Sequence, residues 1–177
     1  MSKNFFNLTS PQKSIWYTEE YLSGTNIGNI CGTLVFKESV DFKKLEQAIN
    51  ILIKQHDNFR IKFIIDNNTP KQYIEDYSYI KLKPVELFTN KDLSDLEKKT
   101  VSNRFNLIEN FLYKFIIFKF SDNTGGFILN IHHLVSDGWS FNILLNEIIK
   151  IYNSLINNEN IDIPSYSYID YIKKEND

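Results

Sequence analysis

Two of the three histidines in this 177-residue chain are adjacent, His132 and His133, and Asp137 and Gly138 follow close behind. They lie in Ile131-His132-His133-Leu134-Val135-Ser136-Asp137-Gly138-Trp139-Ser140, after an apolar stretch. A neutral imidazole, with an ordinary pKa near 6.5, can take a proton from an attacking nucleophile at neutral pH. Neighbouring residues on a strand point to opposite faces, so the two rings do not share one task. One can face a cavity while the other packs or hydrogen-bonds beneath it. Asp137 can fold back to orient a ring or grip an arginine, and Gly138 leaves room for a tight turn or a close-approaching ligand. Taken as an isolated pair, two half-buried histidines at a strand end is the plainer reading. A metal site needs about three ligands converging within roughly 2 Å of the ion. Opposed histidines and one cysteine suit that poorly.

The elements that must hold these residues can be read from periodicity and turn signals. Thr9 or Ser10 caps a first helix, with Pro11 in its first turn and Ile15, Trp16 and Leu22 along it. A strand follows over Ile30 to Phe36. Asp41 caps a second helix with Leu45, Ala48, Ile49 and Leu52 on one stripe. Arg60 to Ile65 and Lys71 to Glu75 form a hairpin across Asp66-Asn67-Asn68-Thr69-Pro70, and Asp92 to Asn103 is a third, more polar helix. Tyr113 to Phe120 and Phe127 to His132 are the strongest strands, joined through Gly125-Gly126 as a second hairpin. Trp139 to about Leu155 is the strongest helix, with Leu144, Leu145, Ile148, Ile151, Tyr152 and Leu155 at helical spacing. A short helix closes the chain around Tyr166 to Lys173. Strands mixed with helices suggest a sheet covered by helices on one face.

Composition narrows the function classes. Twenty Lys and Arg against 22 Asp and Glu give a net charge of −2, with 42% hydrophobic and 15% aromatic residues. A chain of this length buries about 70% of its unfolded surface, enough for one sizeable core. Near-zero net charge and the lack of a basic block argue against nucleic acid as a partner. No apolar run reaches the roughly 18 residues of a membrane span. The N-terminus reads as no secretory signal. Cys31 alone makes no internal disulfide and fits a reducing cytosol. Abundant Asn, Ile and Lys read as a compositional bias, so most asparagines are discounted as site signals. No repeat or Gly/Ser linker divides the chain.

His132-His133-Leu134-Val135-Ser136-Asp137-Gly138 matches HHxxxDG, and here the chain resembles the condensation domains of nonribosomal peptide synthetases. Their superfamily is similar to chloramphenicol acetyltransferase and the acyl-CoA-dependent acyltransferases. Leu8-Thr9-Ser10-Pro11-Gln12-Lys13-Ser14-Ile15-Trp16 resembles the first motif of that family, keeping Gln12 and Trp16 but with Ser14 where arginine is usual. Trp16-Tyr17-Thr18-Glu19 followed by Gly28-Asn29-Ile30 is similar to members that start lipopeptide chains. His56-Asp57-Asn58-Phe59-Arg60-Ile61-Lys62-Phe63 resembles the second motif, His-Glu-x-Leu-Arg-Thr-x-Phe. Asp57, Phe59 and Ile61 stand there in place of Glu, Leu and Thr, and Gln55 where arginine is usual. Arg104-Phe105-Asn106-Leu107 with Leu112 resembles the Pro-Phe-Asp-Leu stretch. The resemblance covers about residues 8 to 173.

The resemblance implies a fold and roles. The fold expected is an α/β two-layer lobe, a mixed sheet with helices mainly on one face, half of a chloramphenicol acetyltransferase-like fold. Residues 1–177 are then expected to be the N-terminal lobe of a condensation domain, with the C-terminal lobe absent, as an excised fragment or an unusual short protein. His133 is the implied catalytic histidine, deprotonating or positioning the attacking amine. His132 supports it structurally. Asp137 is the structural aspartate, implied to form a buried salt bridge with Arg60. Gly138 keeps the channel mouth open or is a simple turn glycine, and Trp139 and Ser140 pack and cap the helix start at the tunnel. His56, Gln12 and Trp16 are expected to be structural, and Cys31 an inert semi-buried thiol.

The implied reaction is amide bond formation between a donor acyl or peptidyl thioester and the amine of an acceptor aminoacyl thioester. Both ride on 4′-phosphopantetheine arms of carrier proteins, which enter a tunnel between two lobes from opposite ends. No directly bound cofactor, metal or nucleotide is implied, and the location expected is cytoplasmic. Implied partners are carrier proteins, the C-terminal lobe and an adjacent adenylation domain, with self-association through the exposed lobe interface. The isolated lobe is expected to be inactive. The alternatives are a starter condensation domain, which acylates the first amino acid with a fatty acyl group, and a non-catalytic lobe that binds a carrier protein.

Overall fold

A computed structural model describes residues 3–161 and 167–176. The first four helices each start where a side chain accepts an orphan backbone N–H. Helix α1 (Ser10–Tyr21) is capped by Thr9, whose hydroxyl accepts from Gln12 N–H while the Gln12 side chain accepts from Thr9 N–H. Asp41 caps α2 (Phe42–Gln55), Thr89 and Asp92 form a capping box on α3 (Asn90–Ser102), and Asp137 caps α4 (Gly138–Asn157). Asn158 ends α4 in the left-handed region, and α5 spans Tyr168–Asn176. The expected start of the last helix at Tyr166 lies outside the described residues.

Two sheets form in place of the single one expected. The first is antiparallel, ordered β1 (Phe6–Asn7), β4 (Thr69–Ile74), β3 (Ile61–Asp66). The second is ordered β2 (Asn29–Phe36), β7 (Gly125–His132), β6 (Tyr113–Lys119), β5 (Val85–Glu86). It is mixed, because β5 runs parallel to β6 while the other pairs are antiparallel. An isolated parallel bridge pairs Phe63 of β3 with Ile108, in the segment between α3 and β6. The α/β class thus holds, and the two-residue strands β1 and β5 are too short to show a period.

The larger core lies between α2, α4 and one face of this second sheet. Leu45, Ala48, Ile49 and Leu52 of the α2 stripe are all fully buried there, as the spacing requires. Strand β7 is buried at every position, so both its faces are covered. Phe127, Leu129 and Ile131 enter the large core. Ile128 faces a smaller cluster with Leu87 and Phe118, against which Leu93 and Leu96 of α3 pack. Most helical mass sits on one side, with α3 alone on the other.

Both hairpins form, but the second does not turn at Gly125-Gly126. Those glycines are the first residues of β7, and Asn123 supplies the left-handed turn conformation at φ 64°. The glycines serve close approach. A Cβ at Gly126 would stand 1.8 Å from the Leu34 carbonyl oxygen, and one at Gly125 2.2 Å from that of Phe118. In the first hairpin Asn67 and Asn68 both take left-handed φ, a tight two-residue turn. Among the described residues no helix is long and apolar enough to cross a membrane.

Candidate functional site

The two histidines face apart as expected, although only His132 lies in β7 and His133 opens the turn after it. His132 ends β7 with its ring buried on the α3 side, edge-on to Phe105 at 6.0 Å between centroids. His133 is exposed and lines a pocket of about 600 Å³ on the opposite side. Its backbone N–H donates to the Gly28 carbonyl (2.8 Å). Its ring makes no hydrogen bond to any described residue, so both nitrogens are available to a ligand.

The loop after His133 is held from two distant parts of the chain. Gln12 of α1 donates to the Leu134 carbonyl (3.1 Å) and to Gln72 of β4 (2.9 Å). Asn58 donates to the Val135 carbonyl (2.9 Å). Gln12 and Trp16 are both buried, and Trp16 Nε1 donates to Glu20 (3.0 Å). The anchoring role expected of α1 is therefore carried chiefly by Gln12.

Asp137 is not paired with Arg60, which corrects the expected salt bridge. Arg60 donates to Asp57, three residues before it on a short 3-10 turn, and to the Glu75 carbonyl (3.0 Å). Asp137 accepts from Ser140 N–H (2.7 Å) as the α4 cap. Each group is thus engaged locally, although the buried Nε of Arg60 has no hydrogen-bond partner among the described residues. The Ser140 N–H first, then the Ser140 side chain, the Trp139 N–H and the nearby His133, hold the Asp137 carboxyl below the usual range.

Trp139 is not packed at the helix start, as expected, but is 80% exposed. Ser140 lines the pocket and contributes the capped N–H, while the cap itself is Asp137. A Cβ at Gly138 would meet nothing within 4 Å, so the open surface there comes from the backbone path and does not depend on glycine. His56 at the end of α2 pairs with Glu147 of α4 (2.5 Å), and both line the pocket. Cys31 is half-buried, and burial raises its thiol pKa. Among the described residues no group of three His, Cys, Asp or Glu side chains is placed to hold a metal ion.

Sequence reasoning gave no role to Asn58, Glu147, Glu19 or Gly28. Asn58 was hidden by the discount on asparagines, and Glu147 by its place on a helix read for its apolar stripe. Only contacts across the fold reveal all four.

Comparison with known proteins gives three consistent findings. A family model described as Condensation domain matches residues 2–177. Surfactin synthase subunit 1 of Bacillus subtilis (strain 168) is 33% identical over 99% of this chain, which spans 5% of that protein. A plipastatin synthase of the same organism is 28% identical over 99% of the chain, which spans 7% of that protein. The starter condensation domain of rhizomide synthetase superposes with a TM-score of 0.88 at 15% identity, covering 98% of this chain and 43% of that one.

Proposed function

The chain belongs to the condensation-domain family, and from that membership we propose that residues 1–177 are the N-terminal lobe of a nonribosomal peptide synthetase condensation domain. This family is of the amide-forming acyltransferase type. The observation that carries the reading is the placement of His133, exposed in a pocket with an uncommitted ring, back to back with a buried His132.

In the proposed reaction the acceptor amine attacks the donor thioester carbonyl. The new C–N bond forms as His133 takes the amine proton, the C–S bond breaks, and the proton passes to the departing thiolate. Asp137 lies close enough to His133 for that imidazole to be among the groups that keep the Asp137 carboxyl ionised. Both substrates arrive on phosphopantetheine arms of carrier proteins, and a C-terminal lobe and an adenylation domain are the expected neighbours. The pocket walls include Ile15, Ile143 and Leu144, apolar surface that suits a fatty acyl donor, which favours the starter-type variant as a second reading.

The test is a condensation assay on a two-lobe domain carrying this chain as its N-terminal lobe, with both carriers loaded. His133→Ala is expected to lower turnover by roughly 10²–10⁴-fold, and His132→Ala much less in the molecules that remain folded. Equal residual rates would remove the division of roles. Carrier binding without turnover would favour the non-catalytic reading, and faster turnover with a fatty acyl than with an aminoacyl donor would favour the starter variant.

A further inference from the structure

Beneath His133 lies a second, buried arrangement that the reaction above does not use. Glu19, on the last turn of α1, is buried although α1 is mostly polar. Its Oε1 stands 3.3 Å from His132 Nε2, within ion-pair distance but short of hydrogen-bond geometry, and this buried oxygen has no hydrogen-bond partner among the described residues. The other ring nitrogen of His132, Nδ1, accepts the backbone N–H of Leu134 (3.2 Å). A nitrogen that accepts carries no proton, so the neutral ring holds its hydrogen on Nε2, the atom facing Glu19. Burial, the largest cause, pushes the His132 pKa down, with His133 adding to this and Glu19 opposing it. Glu19 and His133 are the titratable groups that bear on the ring.

Gly28 closes the arrangement from above. A Cβ there would fall 2.3 Å from His132 Nε2 and 2.4 Å from Glu19 Oε1, distances no side chain can occupy. The same Gly28 accepts the His133 N–H through its carbonyl (2.8 Å). Glu19, His132 and Gly28 thus come from a helix, a strand end and a loop, and meet directly under the residue that presents the free imidazole. The loop bond from Leu134 exists only while His132 Nδ1 lacks a proton. In the other tautomer two N–H groups would face each other, and the turn closed by Val135 N–H to the His132 carbonyl (3.0 Å) would lose its support.

We propose that Glu19 is a positioning residue, whose carboxyl oxygen selects the Nε2–H tautomer of His132 and so fixes the loop that aims His133 into the pocket, with Gly28 supplying the space the pair requires. This rests on the reading of His133 given above for its catalytic consequence, but not for its structural one. The role asks for a hydrogen-bond acceptor at position 19. Glutamine therefore keeps it and leucine does not.

Nitrogen-15 NMR of the histidine rings in the 177-residue chain tests this directly. At pH 8, where the ring with its lowered pKa is neutral, His132 is expected as the Nε2–H tautomer in the native protein and in Glu19→Gln. In Glu19→Leu the Nδ1–H form should appear, and the His133 amide, now less firmly bonded to Gly28, should exchange faster with deuterium. If Glu19→Leu fails to fold, Gly28→Ala gives the same readout by forcing the pair apart from above. A His132 that is already the Nδ1–H tautomer in the native protein, or that keeps the Nε2–H tautomer in a folded Glu19→Leu, overturns the proposal. In the two-lobe condensation assay Glu19→Leu should lower kcat by about 10²-fold with KM for the loaded carriers little changed, and Glu19→Gln should restore it. A tautomer change without any effect of His133→Ala on turnover would leave the inference standing and remove the catalytic reading instead.

Discussion

Asp137 shows how a residue's neighbours along the chain can outweigh a distant partner. Its carboxyl caps α4, a contact available within three residues. Asp137→Ala should lower stability by about 1 kcal/mol in urea unfolding at pH 7. The folded-state pKa is depressed, so the contribution is fully present above the unfolded value near 3.9 and is lost as pH falls through the folded one. The difference between the variant and the native protein should therefore shrink below about pH 4. Trp139→Ser, at an exposed position, should change stability by no more than about 0.5 kcal/mol. At this scale the opposed histidines were legible, although His133 stands one residue past the end of β7, in the turn that follows. The Arg60 pairing came from resemblance rather than spacing, and the local Asp57 contact defeated it.

Elements with strong periodicity were legible almost to the residue. The α2 stripe, the β6–β7 pair and the long α4 each repeat one signal over many positions, and burial follows it. What escaped was signal too short to repeat. Strands β1 and β5 have two residues each and add one edge to each of the two sheets. The glycines of β7 read as a turn because a pair of glycines usually marks one, whereas here the backbone of β2 passes too close for a side chain at Gly126. Gly126→Ala should therefore cost about 1–3 kcal/mol or more, since the obstructing atom is a backbone carbonyl that cannot rotate away. Thermal melting of the variant checks this, and a native melting temperature would show that β2 can shift outward freely.

Across the whole molecule one core runs from α1 through α2 and α4 to both sheets, with Leu8, Trp16, Phe63 and Phe127 as members. Calorimetry should show a single transition whose van't Hoff and calorimetric enthalpies agree. Two transitions would mean that the three-stranded sheet melts separately. The tie from Gln12 to Leu134 spans 122 positions, and that from Asn58 to Val135 spans 77. During translation the pocket cannot exist until the second partner of each tie has been made. At roughly 5–20 residues per second, Gln12 waits about 6–24 s for the loop that it anchors, while Trp16 meets Phe63 sooner. Across the fold, Gln12 has only Gln72 of β4 to bond during that interval, so the site is assembled after both sheets have been synthesised rather than along with them.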